Sequence, residues 1–443
     1  MNKTRNYIKK ACGLVLTVAV MTAVSACGGE SVSGDTVQRV TNIEQTKTPA
    51  KTAESEDRNS KDFWDTENEV SLHKDGVTYH AYLSKDKKES WIYQAEIGKK
   101  VGETINFPSE IEGIKTTVIG NNEELYESDD KDWCTGVFGG YFGGDFEPWH
   151  EVDADYNNSV KSLVVPDSVE ILAGSALAGL KAVERIKLSD NMEEIYAYTF
   201  QNDINLKEIT IGKNTKKISP LAFEKCNNLQ KFNTVKDGQL ILVNNMLVTK
   251  DKTELVFVPR KLREAKIPEG VTHICEGAFY RSKASEIWIP SSLQQSTKYT
   301  FQHTNIEKWH LADKCGLAKS DTCVYEKKTG ELVYIYSNKK VIELPKDVTE
   351  IGNKFATLNR NKITIKLPET FEKFGDLYRI QPAWLEIYFT SENPPVVEGD
   401  NSMNAPPFIA FIPQKYQENY LDWLEKNYSF DREEDTDEYF IVS

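Results

Sequence analysis

The sequence predicts a repeat solenoid, built mainly of short parallel β-strands joined by turns and short helices and winding right-handed. Two observations lead there. A strand phrase returns every 23 residues, as Leu163-Val164-Val165-Pro166, Ile186-Lys187-Leu188-Ser189 and Ile209-Thr210-Ile211-Gly212. Each phrase is followed at one fixed distance by a bulky apolar residue, Leu177, Phe200 and Phe223 in turn. A fixed period of this length marks stacked units, none of which buries its own apolar residues until a neighbour covers them. Side chains alternate along a strand, so Ile186 and Leu188 point to the core and Lys187 to solvent.

The chain opens with Lys3, Arg5, Lys9 and Lys10 and no acid, followed by an apolar run over 11–26 that ends Val24-Ser25-Ala26-Cys27. A basic start, a short apolar stretch and small residues before a cleavage point read as an export signal over 1–26. The run is too short to cross a bilayer, which takes about 20 residues. Its ending resembles a bacterial lipobox, with Val24 where Leu is usual. That resemblance implies a lipid on Cys27; the alternative is ordinary secretion with a free thiol there.

Removal of 1–26 leaves 50 basic against 68 acidic side chains, a net charge near −18. Such a surface has no attraction for nucleic acid or an anionic lipid face, so membrane attachment is expected through Cys27 alone and no nucleic-acid partner is expected.

Residues 27–68 form a lipidated flexible tether in this reading. The stretch is rich in Ser, Thr, Glu, Lys and Asp, and Phe63 and Trp64 are its only aromatics, too few to form a core. About 40 residues of coil span roughly 35 Å. Residues 69–159 hold a degenerate first repeat and an insertion. Val77-Thr78-Tyr79-His80-Ala81-Tyr82-Leu83 and Trp91-Ile92-Tyr93 read as strands, and Ile105-Asn106-Phe107-Pro108, Val118-Ile119-Gly120 and Val137-Phe138 as pieces of one stretched unit. The stretch between them is acidic over 123–132 and rich in aromatics and glycine over 136–149. Long loops inside a regular array are either functional or disordered.

The leucine-rich solenoid proper covers 160–410 and stretches twice. Phe223 to Phe279 is 56 residues and Phe301 to Phe355 is 54. The first excess holds Leu240-Ile241-Leu242-Val243 and Met246-Leu247-Val248 around Asn244-Asn245, and the second holds Cys323-Val324-Tyr325-Glu326 and Leu332-Val333-Tyr334-Ile335. Both read as hairpin expansions. Residues 411–430 form a C-terminal cap, with Tyr416, Tyr420, Trp423 and Leu424 on one helical face. The acidic tail 431–443 is expected to be loosely ordered.

The recurrent unit is written most fully in Ile267-Pro268-Glu269-Gly270-Val271-Thr272-His273-Ile274-Cys275-Glu276-Gly277-Ala278-Phe279, and again in Glu286-Ile287-Trp288-Ile289-Pro290 and Val348-Thr349-Glu350-Ile351-Gly352. It closely resembles the BspA-like, Treponema-type leucine-rich repeat of bacterial surface and secreted proteins. The resemblance covers residues 77–428. It implies a leucine-rich repeat fold and, for the family as a whole, adhesion and protein binding, although fold alone does not license function.

Chemistry is sparse. His150-Glu151-Val152-Asp153-Ala154-Asp155 gathers one histidine and three carboxylates, but no second histidine follows at the zinc-protease spacing. A calcium loop beginning at Asp153 fails at Asn158, where Gly is needed, and at Val164, where Glu is needed. No nucleophile elbow, phosphate loop, Cys-x-x-Cys or dinucleotide fingerprint is present, so no catalytic residue, metal or cofactor is assigned. Five cysteines in the body cannot all pair; Cys315 and Cys323 are close enough to close a small loop, and whether they do is open.

Outward positions of the repeated strand give Val164, Lys187, Thr210, Lys266, Trp288, His310, Glu343, Lys366, Tyr388 and Phe411. Adjacent rungs lie about 4.8 Å apart, so Trp288 and His310 should be neighbours, with Glu286 and Lys308 beside them. Aromatics and paired charges of this kind are typical of binding hot spots. The loop aromatics Phe138, Tyr141, Phe142 and Trp149 are a rival candidate site.

The expected protein is a monomeric, non-catalytic surface lipoprotein, anchored to the outer face of a bacterial membrane through Cys27 and binding a protein or surface glycan. An envelope scaffold with no soluble ligand is the alternative, and an enzyme using the 150–155 loop a more distant one.

Overall fold

The computed structural model describes residues 63–120, 134–138, 141–142, 159–359, 361–375, 384–398, 408–431, 435 and 439–442. The stretch expected to be an export signal, the expected lipid position Cys27, Trp149 and the 150–155 cluster lie outside them.

The repeats stack as a leucine-rich solenoid. Its principal strands form parallel sheets of five, three and five strands, running from Thr104–Asn106 through Lys231–Thr234, from Glu264–Lys266 through Lys308–Leu311, and from Ile342–Glu343 to Phe440–Val442. Register follows the period: Ser162 faces Arg185, Arg185 faces Glu208 and Glu208 faces Lys231. The inward residues Leu163, Ile186 and Ile209 are buried. Phe200 and Phe223 stack with ring centroids 5.3 Å apart.

Polar residues repeat with the same period. Asn205 Nδ2 donates to Lys181 O and Asn228 Nδ2 to Ile204 O, each at 2.7 Å. Turns rather than helices connect most strands; the cap carries a 3-10 turn, Gln414–Tyr416, and an α-helix, Gln417–Asn427.

Three meanders interrupt this regularity, and they are one motif. Trp64–Lys74, Val77–Ser84 and Glu89–Ile97 run antiparallel, and the third strand then pairs in parallel with Ile114–Ile119. Leu240–Val243, Met246–Thr249 and Glu254–Phe257 do the same before joining His273–Ile274. Leu317–Lys319, Cys323–Glu326 and Leu332–Ile335 repeat it before Ala356–Thr357. In each third strand the register slips by one residue, leaving Tyr93, Val256 and Val333 as bulges.

The first two meanders also share a turn. Ser84 Oγ and Thr249 Oγ1 each donate to an aspartate, Asp86 or Asp251, at 2.7 Å. That aspartate accepts the backbone N–H of Lys88 or Thr253, and the hydroxyl oxygen accepts that of Glu89 or Glu254. The sequence shows two expansions, and the structure adds a third at the N-terminus.

The bulge explains what the meanders do. Leu255 and Leu332 pack into the core that follows them, whereas the bulged Val256 and Val333 pack into the core that precedes them. In the two interior meanders the second and third strands form a wall buried on both faces, hence their nearly unbroken apolar runs. In the first meander Ile92 faces the following core, and among the described residues no repeat stands behind it. There Phe63, Trp64, Tyr82, Trp91 and Tyr93 form a separate aromatic cluster that closes the open end. Terminal repeats need such a cover.

Two expectations are corrected here. The folded domain includes the end of the stretch assigned to the tether: Trp64 is 1% exposed and packs on Trp91. The tail is not wholly loose, since Phe440–Val442 adds a parallel strand to Ile409–Ile412. An apolar triplet after the acids satisfies a sheet edge that charge content alone does not reveal.

The insertion belongs to a single expanded unit. Thr104–Asn106 pairs directly with Ser162–Val164. Within that unit Val137 N–H donates to Ala176 O, and Ala95 N–H donates to Val137 O. The thiols of Cys315 and Cys323 remain free, Cys315 Sγ donating to Leu317 O and Cys323 lying 3.3 Å from Ser320 Oγ.

A candidate binding face

The three-strand sheet between the second and third meanders carries the predicted outward residues. Lys266, Trp288 and His310 lie side by side in register on consecutive rungs, and Glu264, Glu286 and Lys308 occupy the same face two residues earlier. The Trp288 and His310 rings stack at 4.4 Å with planes 7° apart. On the other side of the indole, Lys266 Nζ sits 4.7 Å from the ring centroid. Trp288 is therefore sandwiched, and it offers its edge to solvent rather than an open face.

Charge is balanced within the patch. Glu286 accepts His310 Nε2 at 2.7 Å and lies 3.9 Å from Lys308 Nζ, while Lys266 pairs with Glu264 at 3.2 Å. Glu286 is the more buried partner, and His310, at 45% side-chain exposure, stands open. The meanders fix this platform at both sides: Asn244 Nδ2 donates to Lys266 O and Lys319 Nζ to Trp309 O, each at 2.7 Å. Asn244 and Asn245 both take positive φ, as a tight two-residue hairpin turn requires. The sheet is thus bounded by a hairpin turn on one side and a meander strand on the other, with the aromatic–cationic column between them.

Of the rival loop, Phe138 is 3% exposed and packs on Phe107, so it belongs to the core and is not available to a ligand. Its neighbour Val137 takes the place of Leu177 and Phe200 in their column: Val137 N–H donates to Ala176 O just as Leu177 N–H donates to Thr199 O. The strand Tyr141–Phe142 pairs with Cys134–Thr135, and Trp149 lies outside the described residues.

Sequence reasoning named Lys266 as outward but did not join it to the site, and it omitted Asn233, which occupies the rung between Thr210 and the first interior meander. It also leaves Tyr388 and Phe411 unpaired, although they stack at 4.3 Å and 13°. The rung-to-rung spacing was the available signal in each case.

The described histidines are dispersed: His73 meets Thr78, His80 meets Glu69 and His310 meets Glu286. Burial raises the Cys226 thiol well above its ordinary value and Cys275 to about 11. Neither is an activated nucleophile. No group of three or more metal-ligating side chains converges among the described residues. No helix among them is long and apolar enough to cross a membrane.

Six copies of the BspA type leucine rich repeat region match residues 153–246 and 253–378. The chain belongs to the BspA-type leucine-rich repeat family. Solved structures similar to this BspA-type protein include pneumococcal vaccine antigen PcpA, at 13% identity over 84% of this chain and 98% of that one, with a TM-score of 0.37. A leucine-rich cell surface protein from Faecalibacterium prausnitzii is 14% identical over 69% of this chain and 90% of its own, with a TM-score of 0.29. The T. pallidum leucine-rich repeat protein is 18% identical over 52% and 78%, with a TM-score of 0.30. At these scores none carries an argument about what this BspA-type chain binds. No curated protein matches it.

Proposed function

We propose that this BspA-type protein is an exported, non-catalytic surface lipoprotein, held to a bacterial membrane through Cys27 and binding a partner through the Lys266–Trp288–His310 face. The observation that carries the reading is the stacked, charge-flanked aromatic column fixed between two meanders. Rigid aromatics with buried or balanced charges around them are the usual anchors of protein interfaces. A protein partner suits the face better than a sugar stacked on the indole, because both faces of Trp288 are already taken by Lys266 and His310.

The test is a pull-down from host extracts and from bacterial envelope with the domain beginning upstream of Phe63, so that the aromatic cap is retained. We expect a saturable partner that Trp288→Ala loses while the melting temperature stays unchanged. Binding that persists unchanged in the variant removes this face from consideration. Metabolic labelling with a fatty acid that disappears in Cys27→Ser tests the anchor separately.

A further inference from the structure

The last rung of the principal sheet differs from every rung before it. Each earlier strand belongs to a repeat or leads into the cap, whereas Phe440–Val442 follows the cap helix and the acidic stretch after it. It pairs in parallel with Ile409–Ile412, setting Phe440 against Ala410, Ile441 against Phe411 and Val442 against Ile412. Ile441 continues the outward column in which Tyr388 and Phe411 stack. Ile441 remains 40% exposed and Val442 41%. Six of the eight residues over 431–438 are acidic and none is apolar.

From these features we propose that the edge of Ile409–Ile412 away from Leu385–Tyr388, with Phe411 at its centre, is a docking site for a short extended apolar segment. It is filled in cis by Phe440–Val442, and it can take the same segment from a second copy of the chain. Strand addition of this kind takes affinity from main-chain hydrogen bonds and specificity from alternate side chains. Three paired residues bind weakly by themselves. The strand stays seated because a short linker holds it at an effective concentration on the order of millimolar. Exchange between copies therefore sets in only when the protein itself approaches that concentration. Below it the cis strand wins and the chain stays single.

The experiment compares the chain with a version ended after Asp431, using a synthetic peptide of residues 435–443 as the probe and amide hydrogen exchange as the readout. In the shortened chain the amides of Ile409–Ile412 should exchange at least about tenfold faster. Saturating peptide should restore their protection, and the same peptide carrying Ile441→Pro, which cannot donate at the centre of the strand, should not. In the intact chain, sedimentation near millimolar protein should show dimers that excess peptide disperses. If the shortened chain fails to fold, the full-length Ile441→Pro variant replaces it with the same readout. Exchange in Ile409–Ile412 that ignores the peptide overturns the docking site, and an intact chain that stays monomeric at millimolar concentration overturns exchange between copies.

Discussion

Phe200 is fully buried and stacks on Phe223, so its contribution is that of a column rather than of a single contact. Phe200→Ala is expected to cost about 3–5 kcal/mol in denaturant unfolding, and a loss below about 1 kcal/mol would show that the column closes over the gap. Three residues further on, Asp203 is also fully buried; Oδ1 accepts the Leu180 N–H at 2.7 Å, and Oδ2 has no hydrogen-bond partner among the described residues. Burial pushes its carboxyl well above the ordinary range, against the pull of the Leu180 and Gly179 amides. The folded form therefore holds its proton at pH values where the unfolded chain has released it. Its contribution to stability is complete below the unfolded pKa, near 3.9, and is lost as pH rises toward the folded value. Asp203→Asn should therefore raise the melting temperature at pH 8, leave it nearly unchanged at pH 3.5, and flatten the profile between. An equal shift at both pH values would place the effect elsewhere.

The third meander is held to its repeats by buried charge. Lys354 Nζ lies 3.0 Å from Glu326 and 2.7 Å from Glu331, and Glu326 also accepts the Ser296 N–H at 2.9 Å. Burial raises the Glu331 carboxyl and works against the Lys354 ammonium, but the two glutamates outweigh that and hold the lysine above its ordinary value. Lys354→Met strands two carboxylates in the core and is expected to cost about 3–5 kcal/mol, much of it recovered when Glu326 and Glu331 are also made Gln. No recovery in the triple variant would mean that the cost is one of packing. The meanders also show what sequence makes legible. The 23-residue phrase exposes the rungs because its side chains face one core with one period. The interior meanders are visible as breaks in that period, and the N-terminal one, which follows a polar stretch rather than a repeat phrase, is not. Its signature was present in Ser84-Lys85-Asp86-Lys87-Lys88-Glu89, the counterpart of Thr249-Lys250-Asp251-Lys252-Thr253-Glu254. Trp64 was hidden for a related reason: an aromatic at the end of a polar stretch declares its burial only when the cluster it joins is known. At the candidate site, rung spacing placed Trp288 beside His310, but the closure of both indole faces depends on rotamers that no spacing encodes.

Among the described residues the apolar interior divides into three large clusters, with Leu247 facing the first, Met246 and Val248 the second, and Cys323 and Ile335 the third. Stability in repeat arrays adds up through neighbouring contacts, so a wall between clusters is a natural boundary between units that open separately. The N-terminal end sets the other boundary. A domain begun at Glu69 lacks Phe63 and Trp64 and uncovers Trp91; it should melt lower than one begun at residue 60, with the loss confined to exchange in the first meander. Equal melting curves would remove the aromatic cluster from the cap. The register of that meander has a mechanical meaning as well. Trp64 stands opposite Ser84 and Lys74 opposite Val77, so the chain enters the sheet at the open end of its first hairpin, away from the turn. A pull on the residues before Phe63 meets the strands in peeling rather than in shear, one hydrogen bond at a time. The indole of Trp64, wedged against Trp91, is then the clasp that must fail before any repeat feels the load.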